Sequence, residues 1–394
     1  MDTLSKLQIL ADAAQYDSCG IPGKSVFAKA AKHREQWGIH ASFKSNGIPC
    51  NMLKILMTNV CVYDCKYCVN RKSNDVPRAI FTPEELAGLF MQFVYKRYVE
   101  GLFLSSGIVK NPDYTMQELI KTVYLVRNKY KFKGYIHLKA IPGASKHLLE
   151  LGASLASRMS VNIEAPTEKH LADITPSKKF SDLINPMNEL ATMIKLKNIG
   201  NDPSKKFLPG GQTTQLIIGA SDERDDEILK TTNWLYDRMS LKRVYYSAFR
   251  PVSNTPLAHR EPASSVREHR LYQADFLLQK YNFKSDEFIF DQAGKLDLSL
   301  DPKLAWSLKH VEKFPIELNR ATREDLLRIP GLGPTAANRI LERRRLGNLK
   351  SFLDLKGTGL ILKRAINYMT VNGRYWGTGV PIYLPRAEQL QLSF

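Results

Sequence analysis

Three of the chain's five cysteines fall within eight residues, in Asn59-Val60-Cys61-Val62-Tyr63-Asp64-Cys65-Lys66-Tyr67-Cys68. Cysteine thiolates are the usual ligands of iron–sulfur clusters. At this C-x3-C-x2-C spacing, Cys61, Cys65 and Cys68 can each hold one iron of a cubane [4Fe–4S] cluster and leave the fourth iron open to a small molecule. Structural zinc is the other reading of the same donors. Zinc wants four closed ligands, and Cys19, Cys50 or His137 would complete the set. The apolar run Leu53-Lys54-Ile55-Leu56-Met57 just upstream reads as a buried strand, so the cysteines sit on the loop at its C-terminal end. Barrel enzymes keep their chemistry at that end.

The elements that must position this loop follow from the rest of the chain. Its 394 residues allow two or more domains and a large core, and 43% hydrophobic residues fit an ordinary globular protein. No apolar run is long enough to cross a bilayer, and Asp2-Thr3-Leu4-Ser5-Lys6-Leu7 opens a mixed polar helix rather than a secretory signal. The expected location is cytoplasmic. An odd number of mostly clustered cysteines argues against a disulfide scaffold. A formal net charge of +18 calls for an anionic partner, of which nucleic acid is the usual one.

Residues 1–48 read as an N-terminal extension, with a helical pattern from Leu4 to Tyr16. Gly23-Lys24-Ser25 lacks the upstream glycine and the strand of a phosphate-binding loop. From residue 49 to 285, short apolar strands alternate with amphipathic helices. Thr82-Pro83-Glu84-Glu85 is a capping-box helix start, and Thr115-Met116-Gln117-Glu118 is read in the same way. Strands are expected at 101–104, 134–138, 159–163, 215–218 and 243–247, with helices near 182–196, 225–239 and 265–281. Six strand–helix units in a row predict parallel strands, too few for an eight-stranded barrel. The expected fold is α/β, a partial (β/α)6 barrel.

The cysteine spacing and this barrel resemble the radical S-adenosylmethionine (SAM) superfamily, in which the open iron chelates the amino and carboxylate groups of SAM. The resemblance implies further cofactor contacts. Tyr67 stands where the family places an aromatic residue against adenine. Ser105-Ser106-Gly107 resembles the glycine-rich segment that binds the methionine amino group, but without its usual acidic residue. Asn162 and Glu164, two apart and on one face of a strand end, occupy positions that contact SAM in relatives; Glu164 reads equally as the partner of a lysine such as Lys139. Ile217-Ile218-Gly219 resembles the segment beside adenine. Arg250, after the last strand, either flanks the adenine or faces a substrate phosphate.

Residues 286–315 read as a connector. Then Leu318 to Ile340 forms two helices around Pro330-Gly331-Leu332-Gly333, with a weaker copy at Leu355-Lys356-Gly357-Thr358-Gly359-Leu360. The pair, over 316–372, resembles a tandem helix-hairpin-helix DNA-binding domain, all-α in class. Gly331, Gly333, Gly357 and Gly359 permit tight turns, and outward amides near Thr335 are suited to a phosphate oxygen. Arg339, Arg343 and Lys356 add charge, and residues 316–376 hold 12 Lys/Arg against 5 Asp/Glu. In the tail, 373–394, Gln389-Leu390-Gln391-Leu392-Ser393-Phe394 resembles the short motif that binds the bacterial sliding clamp.

Together the two parts resemble a bacterial family of radical SAM proteins described as acting in DNA modification or repair and associated with a uracil-DNA-glycosylase-like protein. The resemblance implies a [4Fe–4S] cluster, SAM, an electron donor such as flavodoxin or ferredoxin, and DNA held by its backbone. Two other readings stand: an RNA-modifying radical SAM enzyme, and a non-catalytic, metal-stabilised DNA-binding protein.

Overall fold

The computed structural model describes residues 1–14, 37–43, 49–199 and 206–377. Cys19, Gly23-Lys24-Ser25 and Gln389 to Phe394 lie outside the described residues. The chain divides into two compact units, Met1–Glu223 with Trp234–Ala263, and Arg224–Asn233 with Ser264–Phe394.

The first unit is a half-barrel. Helix α1 (Thr3–Ala13) leads to a seven-stranded sheet in chain order: β1 (Ile39–Phe43), β2 (Pro49–Leu56), β3 (Gly101–Ser105), β4 (Tyr135–Lys139), β5 (Arg158–Ser160), β6 (Gln212–Ile218) and β7 (Leu241–Ala248). β2 to β7 are the six expected parallel strands. β1 adds an antiparallel edge through Ser42↔Cys50 and its neighbours, in a stretch too short and polar to read as a strand alone.

Helices α2 (Pro83–Tyr95), α3 (Pro112–Tyr124), α4 (Lys146–Leu155), α5 (Glu168–Ile174), α6 (Phe180–Lys197) and α7 (Asp225–Met239) make the connections. The capping box at Thr82 and Glu85 is present. The cap expected at Thr115 is not: α3 starts one turn earlier, where Asn111 accepts the Tyr114 amide and Pro112 fills the first position. Thr115 lies inside that turn, bonding back to the Asn111 and Val109 carbonyls.

The two faces of the sheet differ in chemistry. Leu53, Ile55, Leu102, Leu104, Ile136 and Leu138 are fully buried on one face, and a Cβ on Gly152 of α4 would touch Leu138 and Met159, so the helices pack there. The register Lys54↔Phe103↔His137 marks the other face, where Lys54, His137, Ser160 and Thr213 are buried polar residues. Buried polar side chains of this kind are the exception in a protein core, where each needs a hydrogen-bond partner.

The second unit holds α8 (Ser265–Lys280), α9 (Pro302–Lys309), α10 (Arg323–Arg328), α11 (Pro334–Leu346) and α12 (Leu362–Ala365). A small sheet of β8 (Ile316–Glu317), β9 (Met369–Val371) and β10 (Arg374–Tyr375) joins these helices. Leu304, Leu318, Leu326, Leu327, Ile340 and Val371 share its core.

Candidate cluster site and nucleic-acid hairpins

The cysteine loop leaves β2 and returns at an antiparallel bridge between Thr58 and Ile80. Arg78 sets its shape. Its guanidinium donates to the carbonyls of Asn59 at 2.5 Å, Asn70 at 2.9 Å, Arg71 at 2.7 Å and Asn74 at 2.8 Å. One side chain thus ties the backbone before Cys61 to that after Cys68, a task suited to the fixed fork of arginine. Asp64 pairs with Arg71 at 2.5 Å and accepts the Ser73 amide and hydroxyl at 3.1 and 2.9 Å.

The end of β3 braces the loop from one side. The Gly107 amide donates to the Thr58 carbonyl at 2.7 Å and the Val62 amide to the Ile108 carbonyl at 2.8 Å. A Cβ on Gly107 would lie 2.4 Å from the Val60 carbonyl oxygen, so only glycine fits. The Ser106 hydroxyl donates to the Gly107 carbonyl at 2.6 Å, and Ser105 is buried. The Ser105-Ser106-Gly107 segment therefore packs directly on the cysteine loop. Cys61 Sγ accepts the Tyr63 and Ile108 amides at 3.4 and 3.5 Å.

The segment between α5 and α6 clasps the other side. The Lys66 amide donates to the Ile174 carbonyl at 2.8 Å and the Asp64 amide to the Ser177 hydroxyl at 3.3 Å, with Thr175 fully buried between them. From this segment Lys178 reaches Glu164 at 3.1 Å, with side chains only 10% and 8% exposed. The lysine paired with Glu164 is thus Lys178 rather than Lys139. Glu164 has φ +63°, a conformation costing a non-glycine residue about 1–3 kcal/mol that clusters at functional sites. Its carboxylate also acts on the phenol of Tyr67, raising its pKa. Asn162 is buried two residues before it.

Burial dominates the electrostatics. It pushes the Cys65 thiol up, and with help from Cys65 it pushes Cys68 up to about 12. Burial, then the Glu164 carboxylate, holds the Tyr67 phenol well above its usual range, as a donor. For Lys178 burial opposes the charge, but Glu164 and the thiols of Cys65 and Cys68 outweigh it and raise its pKa.

Three free thiols on one braced loop, with a buried ammonium beside them, fit a cluster whose irons each take one thiolate. Among the described residues no three His, Cys, Asp or Glu side chains are grouped as for a single ion. Cys50 lies at the opposite end of β2, six residues or about 20 Å of strand from Leu56. His137 is buried in β4, bonded to Ser160 at 2.9 Å and edge-on to Phe103. Neither is placed to close a zinc site with the loop.

Gly219, with φ +89°, ends β6 in a turn built by the fully buried Glu223, whose carboxylate accepts the Gly219 amide at 2.6 Å and the Ser221 hydroxyl at 2.7 Å. Arg260 holds the Gly219 carbonyl at 2.8 Å. Arg250, after β7, is exposed. Arg78, Lys178 and Glu223 escaped the sequence reading, because nothing in periodicity or spacing marks a side chain that braces a loop through its hydrogen bonds.

In the second unit the two hairpin turns support each other. Gly331 (φ +78°) accepts the Ile361 amide at 2.9 Å, and a Cβ there would meet Arg364 Cβ at 2.7 Å and the Ile361 carbonyl at 2.8 Å. Gly333 caps α11 and Thr335 is exposed in its first turn. Gly357 and Gly359 have φ +80° and +89°. Arg339 donates to the Gly357 and Thr358 carbonyls at 3.2 and 3.3 Å, and Arg343 to the Lys356 carbonyl at 2.9 Å and to that of Asp354. These two arginines therefore bind the second turn itself. Lys356, Arg345 and Lys350 are exposed. Lys303 of α9, from the stretch read as a connector, is buried and donates to the Leu332 carbonyl at 2.6 Å.

Residues 55–235 match the family model of the Radical SAM superfamily. The chain carries a radical SAM domain. It is the domain of an enzyme superfamily, and the match runs from the end of β2 through the cysteine loop and β3 to β6 into α7. Residues 311–361 match the helix-hairpin-helix motif. No curated protein matches the chain. Similar solved structures include HydG, a maturase of the [FeFe]-hydrogenase (16% identity, 57% of this chain and 48% of that one, TM-score 0.43). HydG from Carboxydothermus hydrogenoformans (14%, 57% and 50%, 0.43) and methylornithine synthase PylB (13%, 57% and 60%, 0.45) are similar to the same degree. The chain thus covers 48% to 60% of the length of these proteins.

Proposed function

We propose that the protein is a radical SAM enzyme acting on DNA, with a [4Fe–4S] cluster on Cys61, Cys65 and Cys68. The observation that carries this reading is the radical SAM domain with its cysteine loop braced at the C-terminal end of β2, in one chain with a helix-hairpin-helix motif. Cys61, Cys65 and Cys68 would hold the cluster, which, with a flavodoxin- or ferredoxin-type electron donor, would supply the one-electron reductive cleavage of SAM used for hydrogen-atom abstraction from the substrate.

The chain's own residues bind and orient. Arg78 and Gly107 hold the loop in its shape. Lys178 and Glu164 place a balanced ion pair beside it, and the Glu164 carboxylate keeps the Tyr67 phenol protonated. Asn162, Ser105, Ser106 and Gly219 line the strand ends where SAM would lie. The hairpins, through the amides near Gly331, Gly333 and Thr335 and the Lys356-Gly357-Thr358-Gly359 turn, would hold phosphates without reading bases. A base within a duplex cannot reach a barrel interior, so the substrate is flipped out or single-stranded.

Anaerobic reconstitution followed by competition binding tests the reading. It expects iron bound through the three cysteines and DNA preferred to structured RNA. Preference for structured RNA would make it an RNA-modifying enzyme, and a zinc-only protein would make it a binding protein.

A further inference from the structure

Away from the cysteine loop, the opposite rim of the half-barrel carries a feature that neither the cluster nor the hairpins require. Helices α2 and α3 pack on each other and run back from the sheet, so both end beside the starts of β3 and β4. Their last residues are Tyr95 and Tyr124, exposed by 68% and 55%, and Tyr98 follows at 50%. Exposed aromatic rings are costly on an ordinary solvated surface, and three gathered at one rim mark a contact site.

Cations are interleaved with these rings. Lys96 and Arg97 lie on the first loop, and Lys129, Lys131 and Lys133 on the second; all five are exposed and form no ion pair among the described residues. The favourable field at a helix C-terminus accounts for a cation in each last turn, but not for Lys131, Lys133 or the tyrosines.

The two loops are held side by side. Phe132 packs edge-on against Phe90 of α2 at 5.0 Å, and a Cβ on Gly134 would touch the Glu100 carbonyl at 2.9 Å. Arg127 fixes the second loop through the Leu155, Phe132 and Gly134 carbonyls at 2.9, 2.8 and 2.7 Å. α3 continues into a π-helical turn, Leu125–Lys129, a rare form found often at functional sites.

We propose that this rim binds single-stranded nucleic acid, with the lysines and Arg97 on the phosphates and the exposed tyrosines stacking on bases. Alternating cations and aromatic rings are the chemistry by which single strands are held without sequence preference. The proposal concerns the barrel unit alone and does not depend on radical chemistry.

The test uses the full-length protein and anisotropy of a fluorescein-labelled oligo-dT and a blunt duplex over a range of salt. The charge variant Lys96→Gln/Arg97→Gln/Lys131→Gln/Lys133→Gln should weaken oligo-dT binding and lower the slope of log Kd against log salt by about 3, at about 0.7 per lost contact. The variant Tyr95→Ala/Tyr98→Ala/Tyr124→Ala should bind oligo-dT at least tenfold more weakly, with the slope kept. Thermal melting confirms that both are folded. An unchanged slope in the first variant, or unchanged oligo-dT affinity in the second, overturns the proposal. So does binding of phosphatidylserine vesicles that both variants lose while oligo-dT binding persists, which assigns the rim to an acidic membrane. Affinity lost only when Gly331 is changed leaves the hairpins as the sole grip.

Discussion

Replacing Arg78 with methionine probes the cysteine loop most sharply. The substitution removes four hydrogen bonds to the carbonyls of Asn59, Asn70, Arg71 and Asn74. Each charge-assisted bond contributes about 1.5–3 kcal/mol when its carbonyl has no other donor. Arg78 is half-buried, so water replaces part of that loss. A net penalty of about 3–5 kcal/mol on the closed loop remains. If iron binds only the closed loop, about 3 kcal/mol weakens metal occupancy by roughly a hundredfold. Arg78→Lys keeps the charge but not the fork, and should recover only a fraction. The assay is iron and sulfide content after anaerobic reconstitution, with release to a chelator as the kinetic readout. Thermal melting reports on the rest of the unit, whose core does not involve Arg78. If Arg78→Met takes up iron fully and resists the chelator as wild type does, the claim that this residue shapes the site is wrong.

Other outcomes follow from the same geometry. Lys178→Met or Glu164→Gln alone breaks a buried pair and should cost about 3–5 kcal/mol in denaturant unfolding, while the double variant loses less than the sum. Gly331→Ala forces a side chain into a left-handed position already filled by Arg364 and Ile361. It should lower the stability of the second unit by about 2–4 kcal/mol and DNA affinity at least tenfold. Burial, and then the neighbouring Lys54, lowers the His40 pKa from 6.5 to about 4. The unfolded chain therefore takes up this proton first as pH falls. Stability is retained above about 6.5 and declines between about 6.5 and 4, by about 3 kcal/mol in all. His40→Gln should flatten that part of a stability–pH curve.

The parallel strands, the Thr82 cap and the hairpin turns were legible because each rests on a local signal: an apolar run, a capping box, a glycine where φ is positive. β1 was not, since its five residues gain their identity only by pairing with β2. The start of α3 was misplaced because Thr115 with Glu118 imitates a capping box, one turn inside the true cap at Asn111. The cysteines were marked as candidate ligands by spacing alone. Their supports were not. Arg78 and Lys178 lie ten residues or more from the cysteine they serve, and Gly107, read as a cofactor contact, is glycine because the Val60 carbonyl leaves no room for more. In the hairpins, charge counting marked Arg339 and Arg343 as cations near the turn, and their guanidiniums also bond the carbonyls of the second turn.

The central claim joins a cysteine-bound cluster to nucleic acid in one enzyme. Its most direct test is the release of 5′-deoxyadenosine from SAM by anaerobically reconstituted protein under strong reductant, with and without DNA. The account predicts release that requires Cys61, Cys65 and Cys68 and rises when DNA is added. Iron-loaded protein that releases none in either condition would contradict it.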